Sequence, residues 1–89
     1  MDLGIKGKHA IVCASSRGLG RACAQALAEA GVNLVINGLN EQRLALVAKE
    51  IEESTGVSVI PVAADVSTEE GQMALLAACP EPDILINNA

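Results

Sequence analysis

The chain has 89 residues, a net charge of −5, 51% hydrophobic residues and no Phe, Tyr or Trp. A length of this kind allows one small domain with an aliphatic core and excludes a multidomain enzyme within these residues. The missing aromatic rings remove stacking platforms for single-stranded nucleic acid, the acidic balance opposes a phosphate-backbone footprint, and no tyrosine acid or base is available, so no nucleic-acid partner is expected.

The apolar run within residues 8–14 reads as a first strand, and its continuity predicts burial on both faces, as in a parallel sheet. The turn Ser15-Ser16-Arg17-Gly18 follows. From Leu19, the positions Leu19, Ala22, Cys23, Ala26, Leu27 and Ala30 recur with helical period and predict one inward face, with Gly31 as the stop. Residues 33–37 read as a second buried strand. The turn Asn37-Gly38-Leu39-Asn40 then leads into a helix capped by Asn40, with Leu44, Val47, Ala48 and Ile51 as its stripe and Gly56 at its end. Glu41, Lys49, Glu50, Glu52 and Glu53 form its solvated face.

Residues 57–62 read as a third strand, and Pro61, which has no amide to donate, places it at or near a sheet edge. Ser67-Thr68-Glu69-Glu70 fits a capping box in which Ser67 and Glu70 satisfy each other's free amides. The helix that starts there carries Met73, Leu76 and Ala77 inward and stops before Pro80, and residues 84–87 form a fourth strand. The order is β-α-β-α-β-α-β. With right-handed crossovers this predicts an α/β fold, a doubly wound parallel sheet of order 3-2-1-4, the first half of a Rossmann fold. The fourth strand is then an apolar edge, beside which a further strand is expected to pair.

The longest apolar runs fall far short of the roughly 20 residues that cross a bilayer, and the apolar run near the N-terminus is too short for a secretory signal. Cys13, Cys23 and Cys79 are widely spaced and read as reduced core thiols, and His9 is the single histidine, so neither a disulfide framework nor a metal site is expected. No membrane partner and a cytoplasmic location are the expectations.

The turn after the first strand is the most informative segment. A strand that runs through a glycine-bearing turn into a helix brings free backbone amides and the positive end of a helix dipole to one point, which suits a pyrophosphate. Gly18 and Gly20 allow close backbone approach, although the pattern G-x-G-x-x-G is not completed because Cys23 stands at its third position.

Three segments together carry a family resemblance: Ala14-Ser15-Ser16-Arg17-Gly18-Leu19-Gly20 after the first strand, Asp65-Val66 after the third, and Asn87-Asn88-Ala89 after the fourth. In that order the chain resembles the classical short-chain dehydrogenases/reductases, whose turn reads T-G-x-x-x-G-x-G and is followed by D-[VL] and N-N-A-G, with the 3-oxoacyl-(acyl carrier protein) reductase-like branch as the nearest. The resemblance implies that Ala14, Ser16, Arg17, Gly18, Leu19 and Gly20 lie around the pyrophosphate and adenosine, that Asp65 and Val66 flank the adenine, and that Asn88 and Ala89 lie along the ribose. The residues themselves leave Asp65 open as a turn or cap residue before the third helix, and Asn87 and Asn88 as strand-end hydrogen-bonding residues.

The chain departs from the family pattern twice. Cys13-Ala14 stands where the family has Thr-Gly, so a methyl group crowds the first glycine position. At the end of the second strand, Gly38 and Leu39 replace the aspartate of NAD-selecting members and the arginine of many NADP-selecting ones. No carboxylate there repels a 2′-phosphate, and Arg17 is able to pair with one, so NADP is favoured over NAD. The family's catalytic Ser, Tyr and Lys lie beyond the N-N-A-G segment, and no residue here is assigned a catalytic role. The expected function is an NAD(P)-dependent oxidoreductase that moves a hydride between nicotinamide and a small carbonyl or alcohol substrate, a 3-oxoacyl thioester among them. Residues 1–89 would be the N-terminal half of its dinucleotide-binding domain and the complete protein a homo-oligomer, tetramer or dimer. The alternative is a non-catalytic nucleotide-binding or assembly module.

Overall fold

The computed structural model describes residues 4–13 and 18–87. Its elements are β1 (His9–Cys13), α1 (Gly18–Glu29), β2 (Asn33–Gly38), α2 (Glu41–Thr55), β3 (Val59–Ala63), α3 (Glu69–Ala78) and β4 (Ile84–Asn87). All strand pairs are parallel and the four-stranded sheet has the order β3-β2-β1-β4. Both the alternation and the strand order match the expectation from sequence, and they are those of the first half of a Rossmann sheet.

β1 sits between β2 and β4, and its Ala10, Ile11, Val12 and Cys13 are each at most 5% exposed. A strand hydrogen-bonded on both edges and covered on both faces has no solvated side, which is why its sequence is apolar without alternation. The pleat divides these side chains between two cores. Ala10, Val12, Leu34, Ile36 and Val59 pack with α1 and α2, whereas Ile11, Cys13 and Val35 pack with Leu75 and Cys79 at the end of α3. Cys13, Cys23 and Cys79 are free thiols, and burial pushes the Cys13 and Cys79 thiols up.

α2 follows its sequence pattern throughout. Leu44, Val47, Ala48 and Ile51 are buried, the Asn40 side chain accepts the Arg43 amide at 3.0 Å, and the Gly56 amide donates to the Glu52 carbonyl at 2.8 Å. Pro61 lies in β3, whose only neighbour is β2, so its missing amide faces the unpaired side of an edge strand. β4 is fastened at its start by reciprocal bonds: the His9 amide donates to Asp83 Oδ2 at 2.9 Å and the Asp83 amide to the His9 carbonyl at 2.8 Å.

The other two helices turn different faces inward from those the apolar pattern predicts. α1 buries Gly20, Ala24 and Ala28, with Cys23 and Leu27 half-buried, while Leu19 is 69% exposed. Spaced four apart, these small residues form a flat strip that lets the helix axis approach the sheet, and a Leu-weighted count overlooks them. α3 buries Gly71 and Leu75, and the expected inward residues Met73, Leu76 and Ala77 are all exposed, so Met73 is not core filler. The cap also moves by one residue. Thr68 accepts the Gly71 amide at 3.0 Å and the helix begins at Glu69, whereas Ser67 bonds to Asp65 instead of closing a box with Glu70.

Unfolding of the 89-residue chain in urea separates the two kinds of apolar position. Ile51→Ala, at a fully buried site, is expected to lower stability by about 2–5 kcal/mol. Met73→Ala is expected to change it by no more than about 0.5 kcal/mol; a Met73 loss matching that of Ile51 would overturn the assigned face of α3.

Candidate functional site

Parallel strands place all their carboxyl ends on one edge of the sheet, and here Cys13 pairs with Asn87 while Gly38 pairs with Ala63. Connections from that edge run outward from β1 to β2 on one side, whereas the chain later returns to β4 on the other. Such a switch point opens a crevice at the carboxyl ends of the central strands.

α1 starts at this edge. Gly18 enters it at φ +65°, a left-handed conformation, with open space where a Cβ would stand, so the dihedral rather than crowding calls for glycine. Gly20 is buried and Leu19 beside it is exposed. No acidic residue lies in the first turn of α1, and its free amides and positive dipole end are therefore unopposed by a side-chain carboxylate. Of the candidate ligand residues, Ala14, Ser16, Arg17, Asn88 and Ala89 lie outside the described residues, as does Ser15.

Beyond β3 the chain forms a tightly bonded turn. Asp65 Oδ1 accepts the Ser67 amide at 2.9 Å and the Ser67 hydroxyl at 2.6 Å, and the Asp65 carbonyl accepts the Thr68 hydroxyl at 2.7 Å. The turn role open to Asp65 in the sequence is thus realised. The Ser67 hydroxyl, followed by its amide, holds the exposed Asp65 carboxyl below the ordinary carboxylate range. Oδ2 takes no hydrogen bond among the described residues, which leaves an acceptor facing solvent. Val66 is half-buried against the core under α3, and its carbonyl accepts from the Gln72 side chain at 3.1 Å.

Two residues that the apolar pattern does not single out position this turn. Asn37 is 3% exposed at the end of β2, within the strand rather than in the turn, and its Nδ2 donates to the Val62 carbonyl at 3.1 Å and the Ala64 carbonyl at 2.9 Å. The Ala64 amide returns a bond to the Gly38 carbonyl at 3.2 Å. A polar side chain at the end of an apolar strand is the signal that marks Asn37. Gly71 is the second: a Cβ there would lie 1.9 Å from the Asp65 carbonyl oxygen. The glycine in the first turn of α3 thus lets the helix rest on the backbone of the Asp65 turn.

Gly38 is buried as the last residue of β2, and Leu39 just beyond it is 77% exposed. Between the starts of α1 and α2 runs a groove of about 550 Å³ whose lining includes Gly18, Arg21, Asn40, Arg43, Leu46 and Glu50. Arg21 donates to Glu50 across it and joins the two helices. Among the described residues no helix is long and apolar enough to cross a membrane.

A parallel sheet of this order, with alternating helices and a left-handed glycine opening the first helix at its carboxyl edge, defines a doubly wound α/β protein. The short chain dehydrogenase family model matches residues 8–89, and the chain belongs to that family. It is 42% identical to the uncharacterized oxidoreductase YvaG of Bacillus subtilis over 89 residues, covering 99% of this chain and 34% of that protein. It is 39% identical over 70 residues to the 3-oxoacyl-(acyl-carrier-protein) reductase FabG of Aquifex aeolicus, covering 79% of this chain and 28% of that one. The crystal structure of L-sorbose reductase from Gluconobacter frateurii, complexed with NADPH and L-sorbose, superposes with a TM-score of 0.93 at 40% identity over 100% of this chain and 35% of the reductase. The chain therefore spans about a third of the length of these relatives.

The Asp65 turn supports two measurable outcomes. Gly71→Ala is expected to destabilise the chain by about 1–3 kcal/mol, since the methyl group forces helix and turn apart. Asp65 has a folded pKa below its unfolded one, so its contribution is present above the ordinary carboxylate range and disappears as pH falls through the lowered value. Urea midpoints of wild type and Asp65→Asn should differ at neutral pH and converge as pH falls below about 4; a gap that persists in acid removes the ionised carboxylate as the cause.

Proposed function

We propose that residues 1–89 form the N-terminal, cofactor-binding half of the dinucleotide-binding domain of an NAD(P)-dependent oxidoreductase. The observation that carries this reading is the left-handed Gly18 at the start of α1, directly over the carboxyl edge of the sheet. Amides of the first turn of α1 would receive the pyrophosphate, with Ala14, Ser16, Arg17, Gly18, Leu19 and Gly20 wrapping it. Asp65 Oδ2, not used by its own turn, would accept from the exocyclic amine of adenine, with Val66 beside the ring. Gly38 and Leu39 would lie at the adenosine ribose, and Asn88 and Ala89 further along the crevice.

The residues present fit such a group: no acidic side chain stands in the first turn of α1, and the one carboxylate at the adenine end has an acceptor to spare. When bound, the nicotinamide supplies or accepts the hydride. What this chain's own residues do is bind and orient the adenosine half; no tyrosine is present to move a proton at the carbonyl oxygen. The family's Ser, Tyr and Lys would come from the part of the relatives that the chain does not span.

NADP is the favoured dinucleotide. The Gluconobacter reductase holds NADPH, and no carboxylate follows β2 at Gly38 or Leu39. A small carbonyl or alcohol is the substrate class, with 3-oxoacyl thioesters supported by the likeness to the Aquifex reductase. The three free thiols, two of them buried, support the cytoplasm as the compartment. A homo-oligomer, dimer or tetramer, belongs to the same reading.

Titration of the native polypeptide that carries these residues with NADPH, followed by nicotinamide fluorescence, is expected to give saturable binding, and a panel of carbonyl substrates is expected to consume NADPH. Binding without turnover of any substrate would favour a non-catalytic nucleotide-binding module, and absence of binding to either NADPH or NADH would defeat the proposal.

A further inference from the structure

β3 is the outer strand of the sheet and is bonded to β2 alone. Successive residues of a parallel ladder turn their main-chain groups to opposite sides. The Ser58 carbonyl accepts the Leu34 amide at 2.8 Å and the Ala64 amide donates to the Gly38 carbonyl at 3.2 Å, so the even-numbered residues from 58 to 64 face β2. Val59, Pro61 and Ala63 therefore direct their groups outward, to the side where an added strand would bond. Two of these positions have no amide to offer: the Val59 amide already donates to Glu52 Oε2 of α2 at 3.2 Å, and Pro61 has none. The ends of α2 flank the strand, with Glu52 at its start and Glu41 lining a groove with Pro61 and Ala63 at its end. An ionised carboxylate only accepts, so neither side chain is a partner for the outward carbonyls, and covering either one costs its hydration.

The opposite edge is built differently. β4 reads Ile84-Leu85-Ile86-Asn87, with no proline and no charged residue, and Leu85 is exposed. We propose that Glu52 and Pro61 act together as a stop on the β3 edge, keeping β3 of a second copy of this chain from pairing there across a two-fold axis. Pro61 alone would leave the start of the strand open at the Val59 amide, and Glu52 alone would leave its middle open. With both in place only Ala63, the last residue of the strand, keeps an outward amide, and a single donor at one end does not anchor a ladder. The device is local to β3 and α2, and it is independent of any ligand at the carboxyl edge of the sheet.

The test uses the native polypeptide with Glu52→Gln, Glu52→Ala, Pro61→Val and the double variant Glu52→Ala/Pro61→Val, followed by amide hydrogen exchange and sedimentation velocity. Glu52→Ala is expected to speed exchange of the Val59 amide by about tenfold or more, whereas Glu52→Gln, which keeps an acceptor, should change it by no more than about twofold. The double variant is expected to associate beyond the wild-type assembly at concentrations roughly tenfold below any at which the wild type does so, with the amides of residues 59, 61 and 63 protected in the associated form. Each single variant retains one obstacle and should keep the wild-type assembly state. A double variant that folds and keeps the wild-type assembly state overturns the proposal, and so does association that leaves the amides of residues 59–63 unprotected. Unchanged exchange of the Val59 amide in Glu52→Ala overturns it as well, even where the double variant fails to fold.

Discussion

Burial of β1 on both edges and both faces is the constraint on which the rest of the molecule depends. Its ladder with β2 and its ladder with β4 set the register of three strands at once, from His9 opposite Asn33 to Cys13 opposite Asn87. A slip of one residue would exchange Ala10 and Val12 for Ile11 and Cys13 between the two cores, and the larger Ile11 would stand where Ala10 now faces the α1 and α2 side. Because the strands are parallel, the register that sorts the core also brings Cys13, Gly38, Ala63 and Asn87 to the same edge. Packing and site are therefore consequences of one alignment.

The Asp65 turn illustrates how that edge is made rigid. Asn37 ties the last residues of β3 to β2 through two carbonyls, and Gly71 allows α3 to lie on the Asp65 backbone. Thr68 and Ser67 divide the local work: one hydroxyl caps the helix and the other holds the carboxylate. Buried amide bonds such as those of Asn37 have no alternative partner in the core, so their loss would leave polar groups stranded rather than merely unbonded. The side chain proposed to read adenine is in this way held by its own turn, through the Ser67 amide and hydroxyl. Its second oxygen remains outward because the first is committed to Ser67.

Much of this was legible in the residue order. β1 and α2 carry strong, locally consistent signals: an apolar run without alternation, and an Asn cap followed by a clean stripe. α1 and α3 differ from their apolar patterns for a shared reason. Their inward faces are built on Gly20, Ala24 and Ala28 and on Gly71, residues whose contribution is the absence of bulk, so patterning by hydrophobicity points to Leu19 and Met73 instead. The capping residue was ambiguous because Ser67 and Thr68 are adjacent hydroxyls, and only the demand of Asp65 on Ser67 decides between them. The sequence places Asn37 both at the end of the second strand and at the start of the turn, and its long-range bonds to β3 are invisible until the strands are paired.

The two faces of the sheet differ in a way that bears on the proposed role. The α1 and α2 face is filled by fully buried Leu44, Ile51 and Ile36, with Leu19 and Leu46 projecting from its helices to solvent, whereas among the described elements α3 alone packs on the opposite face, over β1, β2 and β3. On that side Ile60 and Leu85 are exposed, and α3 itself presents Met73 and Leu76 to solvent. Apolar side chains in that number on one face and at an unpaired strand edge favour cover by more protein. The face packed by α1 and α2 carries the start of α1 and the Asn40 cap, both of which stand at the carboxyl edge of the sheet. The open side adjoins β4, and it is there, across the switch point from α1, that the reacting half of a dinucleotide and its substrate would have to be enclosed. The start of α1, proposed to receive the pyrophosphate, thus lies on the face that α1 and α2 cover, while the face over which α3 lies keeps Ile60 and Leu85 exposed.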